Sequence, residues 1–309
     1  MSAAARSARL SAPSAPSALS APSIASGSAP ALAWGRRYLM SRPEHFRVDY
    51  AINPWMDPTA PVDAVLALEQ WEALRAAIAG AGASVELIPG LPGHPDMVYA
   101  MNFGLVDGAR VLLTSFRHHQ RVAEADAAAA WFEANGVAVH RLAGGDAFEA
   151  GDAFVLGDAL VVAYGPRTDL SAHREIAAIL GVRVAPVGIV HPSLYHLDLS
   201  LCPLDDRRAL VAPSAWDAAG AAVVRALVPE PLVLSEEEAF SFCANSIVVG
   251  NTVIMPACPE RIRRRLEAWG FQVVIVDVSE LHRGGGSIRC MTLPLDTELS
   301  AARLRARAA

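Results

Sequence analysis

Lysine is absent from this chain of 309 residues: all 26 basic residues are arginine. The absence removes a Schiff-base amine and a P-loop amine at once. No G-x-G-x-x-G follows a strand-like run and no G-x-S-x-G occurs, so dinucleotide binding and a nucleophile-elbow serine lack support. The four cysteines, Cys202, Cys243, Cys258 and Cys290, include no C-x-x-C pair. That disfavours a zinc site or a disulfide framework and fits a reducing cytoplasm. No stretch approaches the roughly 20 apolar residues of a membrane span. The net charge of -6, with both signs interspersed, offers neither a nucleic-acid groove nor a polybasic membrane surface.

What is present is a large apolar fraction, 53%, enough for a sizeable core. Residues 1–33 are rich in alanine, serine and proline, and the prolines interrupt each apolar run. They are expected to be a disordered tail or an over-extended start, with a transit peptide as the alternative. The catalytic domain is expected over residues 34–298, with a short tail at 299–309.

From residue 95 onward one unit recurs: two apolar strands about a tight turn, a segment of helical period, then a further strand. The turns fall at Asp107-Gly108, Gly157-Asp158, Asp205-Asp206 and Gly250-Asn251. Their spacing of about 45 to 50 residues signals an array or a propeller. A fifth unit needs strands from both chain ends: RCMTLPL near the C-terminus, then RRYLMS, a helix in DAVLALEQWEALRAAIAG and the strand SVELIP. The expected fold is therefore an α/β propeller of five ββαβ units with pseudo-five-fold symmetry, closed by its own termini. An open α/β sheet is the alternative.

Four stretches carry polar groups that loops could bring together: HPDMVYAMNFG, FEAGDAF, YHLDLS and GGGSIRCMTL. Glu149 and Asp152 flank a glycine and suit a cation. His196 and Asp198 are two apart, which on a strand puts both on one face. Cys290 follows three glycines, a place where backbone can come close to a ligand. Singly, each has an ordinary explanation as a turn, a packed histidine or a core thiol. Together they supply a nucleophile, an acid/base and the carboxylate that orients it.

Motif by motif, the chain resembles the guanidino-group-modifying superfamily, the penteins, which includes dimethylarginine dimethylaminohydrolase, arginine deiminase, arginine dihydrolase and the amidinotransferases. INPWM, PDMVYAMNFGLV, FEAGDA, PRTD, YHLDLSLCPL, CANSIVV and GGGSIRCMTL occur in that family's order across residues 36–297. The resemblance implies Cys290 as nucleophile, His196 as general acid/base and Glu149 as its carboxylate partner. It implies substrate or supporting carboxylates at Asp96, Asp152 and Asp198, and Arg167 as the holder of an amino-acid carboxylate. No metal or organic cofactor is implied. The implied activity is hydrolysis of a guanidino C–N bond of arginine or a methylarginine, with arginine dihydrolase or deiminase, amidinotransferase and a non-catalytic binding propeller as alternatives. The expected partner is a small guanidino molecule, and the sequence leaves a homo-oligomer open. Two positions depart from the pattern: Asn102 replaces an acidic residue, and Ser115 replaces an arginine for which Arg117 or Arg121 could substitute.

Overall fold

The computed structural model describes residues 34–157 and 159–299; the terminal segments that the sequence marks as tails lie outside them, save Leu299. The strands and helices follow the expected order. A first group comprises β1 (Arg37–Ser41), α1 (Ala64–Gly80) and β2 (Ser84–Ile88). Next come β3 (Gly104–Asp107), β4 (Arg110–Leu113), α2 (Val122–Ala134) and β5 (Ala138–His140), then β6 (Ala153–Leu156), β7 (Ala159–Tyr164), α3 (Ala172–Leu180) and β8 (Val184–Gly188). The fourth unit is β9 (Leu201–Pro203), β10 (Arg208–Val211), α4 (Ala218–Leu227) and β11 (Glu230–Val233). After the short α5 (Glu236–Phe240) follow β12 (Ile247–Val249), β13 (Thr252–Met255), α6 (Glu260–Ala268), β14 (Gln272–Ile275), α7 (Ser279–His282) and β15 (Leu293–Pro294).

These strands form five separate three-stranded sheets, a mixed α/β architecture. In each, the middle strand pairs antiparallel with one neighbour and parallel with the other, as β4 does with β3 and β5. The hairpin returns need left-handed backbone, which glycine takes without steric cost: Gly108, Gly157 and Gly250 have φ of 60°, 56° and 64°. The fifth sheet joins the chain ends, with Tyr38 opposite Pro294 and Leu39 opposite Leu293, and β2 parallel to β1.

Burial grades across every sheet. Strands β3, β6, β9 and β12 are buried at every residue, whereas β5 and β14 are largely exposed or half-exposed. The first strands are accordingly short continuous apolar runs, while helices cover the outer part of each unit. Trp71, Leu74 and Ile78 of α1 are fully buried, each contributing about 1.5–3 kcal/mol relative to exposure. Helix α1 starts where the Asp63 side chain accepts from the amides of Val65 and Leu66, each at 3.0 Å. It is fastened to α7 by Gln70, whose Nε2 donates to Asp277 and Ser279 at 3.0 Å and whose Oε1 accepts from the Glu280 amide at 2.9 Å. That fastening fixes the segment leading into Gly284–Gly286 and Cys290.

Candidate active site

The candidate residues sit immediately before the most buried strand of each sheet. Asn102 precedes β3, Glu149 and Asp152 precede β6, His196 and Asp198 precede β9, Asn245 precedes β12, and Cys290 precedes β15. Several of these entries are single turns of 3-10 helix: Pro95–Val98, Ala100–Phe103, Ala150–Asp152 and Leu197–Leu199. His196 and Asp198 thus flank the start of a tight turn, where the sequence suggests a strand; both nonetheless reach the same site, because the turn points successive side chains inward.

His196 Nε2 lies 2.9 Å from Glu149 Oε2, which also accepts from Arg167 Nη1 at 3.1 Å. Arg167 is held in turn by the Ile52 carbonyl at 2.9 Å and by the ring of Tyr195, 4.5 Å beneath its Cζ. Burial acts to raise the Glu149 carboxyl, but the Arg167 guanidinium and the hydrogen bond to His196 outweigh it and hold the group well below the usual carboxylate range. An ionised Glu149 fixes the orientation of the imidazole ring.

The sulfur of Cys290 is held from two sides. Asn245 Nδ2 donates to it at 3.1 Å, and it lies 3.4 Å from Asp198 Oδ2. Asn245 also accepts from the Cys290 amide through Oδ1 at 3.2 Å and donates to the Asp198 carbonyl at 3.0 Å, so one amide locks both groups. Burial, then the Asp198 charge, push the thiol well above its ordinary value. Burial likewise raises Asp198 against the pull of His196 and Arg289.

Asp96 faces the same pocket. Its Oδ2 accepts from Tyr50 at 2.9 Å, and burial raises its carboxyl against the opposing charge of Arg121. One oxygen on each of Asp96, Glu149 and Asp198 is buried with no hydrogen-bond partner among the described residues. Asp96 lines the pocket, and Glu149 and Asp198 lie directly behind two of its lining residues, His196 and Cys290; such oxygens suit a planar cation with several N–H donors, because an unsatisfied buried acceptor costs about 1–3 kcal/mol. Among the described residues, no group of three His, Cys, Asp or Glu side chains is arranged to hold a metal ion.

Both carboxylate oxygens of Asp152 are occupied within the protein. Its Oδ1 accepts from the Leu197 amide at 3.0 Å and its Oδ2 from Thr168 Oγ1 at 2.6 Å, so both oxygens clamp the turn that carries His196 and Asp198. Asn102 lines the pocket, and its Oδ1 accepts from the Gly151 amide at 2.9 Å. A Cβ at Gly151 would lie 2.9 Å from that oxygen and 3.2 Å from His196 Nδ1, which is why this position has none.

Of the arginine candidates, Ser115 bridges to Phe148 and Arg117 pairs with Asp169 at the surface. Arg121 lines the pocket, 3% exposed, bound to Glu124 at 2.7 Å and to the Asp96 carbonyl at 3.2 Å. His191 is occupied by the amides of Ser193 and Leu194, outside the pocket. The three glycines before Cys290 answer to packing as much as to a ligand: a Cβ on Gly286 would lie 2.5 Å from the Tyr99 ring and 3.0 Å from Cys290 Cβ, and one on Gly285 would strike Asn53. Asn53 and Trp55 of INPWM close the pocket by donating to the carbonyls of Gly284 at 3.1 Å and Ser193 at 2.8 Å. Asn245 is the site residue that sequence reasoning left without a role. Its signal was positional, since it occupies in the β12 unit the place that Asn102 has before β3.

The model of the family described as N,N dimethylarginine dimethylhydrolase, eukaryotic, matches residues 42–297. A dimethylarginine dimethylaminohydrolase from Mycobacterium tuberculosis is 40% identical over 261 residues, 84% of this chain and 86% of that protein. The bifunctional arginine dihydrolase/ornithine cyclodeaminase ArgZ of Synechocystis is 36% identical over 263 residues, but the match spans only 37% of that longer protein. A crystal structure of the substrate-bound N-terminal domain of ArgZ superimposes with a TM-score of 0.82 at 34% identity, covering 85% of this chain and 99% of that one.

Proposed function

The chain belongs to the N,N-dimethylarginine dimethylhydrolase family, and from that membership we propose that it is a cysteine-dependent hydrolase of a guanidino C–N bond, acting on arginine or an N-methylated arginine. The five sheets are read as the blades of a five-fold α/β propeller over residues 34–298, with β15 and β1 closing it. Its entry turns converge on the axis, which is how residues from five distant segments meet.

In the proposed reaction the substrate guanidinium lies against the unpartnered oxygens of Asp96, Glu149 and Asp198, and its amino-acid carboxylate meets Arg121 and Arg167. The cation offsets the charges that keep Cys290 protonated; the thiol proton passes to Asp198, the nearest acceptor. The sulfur attacks the guanidino carbon, and a C–N bond breaks as His196 protonates the departing amine. The amidino-thioether left on Cys290 is then attacked by water deprotonated by His196, and the sulfur leaves as a ureido product forms. Overall, one water and the substrate cation give a neutral ureido group and a protonated amine.

The observation that carries this reading is the setting of the Cys290 sulfur between Asn245 and Asp198. A second reading, arginine dihydrolase, is favoured by Asn102. With its oxygen bound to Gly151, its amide nitrogen is left as a donor suited to a ureido oxygen, so a citrulline-like first product could be held for a second hydrolysis. Incubation with arginine and each methylarginine, with separation of citrulline, ornithine, ammonia and methylamines, ranks the two. Cys290→Ser lowers turnover by at least about two decades, and denatured wild-type enzyme from a steady-state mixture carries an amidino adduct on Cys290. Turnover only with an added amine acceptor would identify an amidinotransferase, and binding without turnover a non-catalytic module.

A further inference from the structure

Three arginines are buried among the described residues: Arg121, Arg167 and Arg289. The first two are neutralised by Glu124 and Glu149. Arg289 is next in sequence to the nucleophile and 6% exposed, and its guanidinium makes no hydrogen bond or ion pair with any described residue. Its Nε is fully buried without a partner, and its Cζ stands 5.0 Å from the centre of the Phe154 ring. It turns away from the substrate pocket into a second cavity, bounded by Gly104–Val106, Ala153–Val155 and Thr297. Among the described residues, no acidic one lines that cavity.

A buried, uncompensated guanidinium costs several kcal/mol, and such groups in proteins are paired. Asp198 is close enough for Arg289 to lower its carboxyl, but that carboxylate faces the Cys290 sulfur and the substrate pocket. The ring of Phe154 offsets only part of the charge. The cavity is narrow, with room for a single small guest. Among the described residues, the other side chains lining it are apolar except for Thr297 and the indole of Trp34, so no second cation is there for a polyanion.

We propose that this cavity, on the side of Arg289 away from the substrate, is a binding site for one small monovalent anion of the halide class, held by the Arg289 guanidinium. The size of the cavity selects against organic anions, and the single cation selects against divalent ones.

The test is to grow crystals of the full chain in bromide and collect data at the bromine edge. An anomalous peak within ionic contact of Arg289, lost in Arg289→Met, is the expected result. In solution at constant ionic strength, exchanging gluconate, too large to enter, for bromide at about ten times its dissociation constant raises the melting temperature by about 3 °C. That increment disappears in Arg289→Met. Should Arg289→Met fail to fold, the wild-type anomalous map decides alone. Density at Arg289 without anomalous signal, meaning water, or equal bromide increments in both proteins, overturns the proposal.

Discussion

The side-chain oxygen of Asn102 accepts a 2.9 Å hydrogen bond from the amide of Gly151, joining the turn before β3 to the turn that carries Glu149. An aspartate at 102 keeps that bond through one oxygen and turns the second into the pocket, where it replaces a donor with an anion. Guanidinium binding strengthens and ureido binding weakens. Asn102→Asp is expected to raise the share of citrulline in the product from arginine, or to improve KM for methylarginines, with melting temperature nearly unchanged. An unaltered product ratio accompanied by a lower melting temperature would assign Asn102 to loop support alone.

Asp198 raises the Cys290 thiol, so removing its charge lowers that thiol. Asp198→Asn is therefore expected to speed alkylation of Cys290 by iodoacetamide at pH 7.5 severalfold while cutting kcat by about two decades, since a substrate contact is lost. Alkylation and turnover moving together would show that the carboxylate does not govern the thiol in this way.

Asn245 supplies an uncharged side-chain donor to the sulfur, and one donor to a developing charge is typically worth about 10²–10³ in rate. Asn245→Ala should lower kcat by that order and leave KM within about threefold. Loss through KM with kcat preserved would point to a general loosening of the site.

Burial, working against His196 and Thr168, lifts the Asp152 carboxyl to about 6, whereas in an unfolded chain it titrates at about 3.9. The folded state holds a proton in this interval that the unfolded state has released. The stability due to the protonated form is complete below about pH 4 and is lost as pH rises through about 6. Asp152→Asn removes this titration, so the melting temperature of wild type relative to the variant should fall between pH 4 and 6.5. A constant difference over that range would contradict the raised carboxyl.

The repeat was legible because tight returns demand particular backbone: Gly108, Gly157 and Gly250 mark their hairpins, and Gly136 and Gly270 follow α2 and α6 with φ of 75° and 88°. Cys290, His196 and Glu149 stood out as candidates as a set, by their complementary chemistry and by the order of family motifs, since each alone has an ordinary packing role. The clamp made by Asp152 was not legible, because its partners, Thr168 and Leu197, lie 16 and 45 residues away and an acid beside a glycine gives no sign of them. Arg121 and Arg117 were both open as substitutes for the arginine missing at Ser115, and the sequence could not choose between them: the Arg121 guanidinium reaches the pocket from the segment leading into α2. Asn245 stood in the motif CANSIVV without a role, because its partner Cys290 lies 45 residues downstream.

The sheet that unites β1 with β15 also sets an order of assembly. The hydrogen bond from the Gly35 amide to Asp296 spans 261 residues, while the hairpins close over a handful. Closing that span costs about 3 kcal/mol more chain entropy than closing a ten-residue loop. Four sheets can form from neighbouring segments, and the fifth must wait until they have brought the two ends together. Cys290 lies just before β15, so the nucleophile is the last of the reacting groups to be seated, and a partly folded chain presents its carboxylates without a thiol to use them. Pulsed hydrogen exchange during refolding should find the Leu295 amide, which donates to the Arg37 carbonyl at 2.9 Å, protected later than amides of β7 and β8.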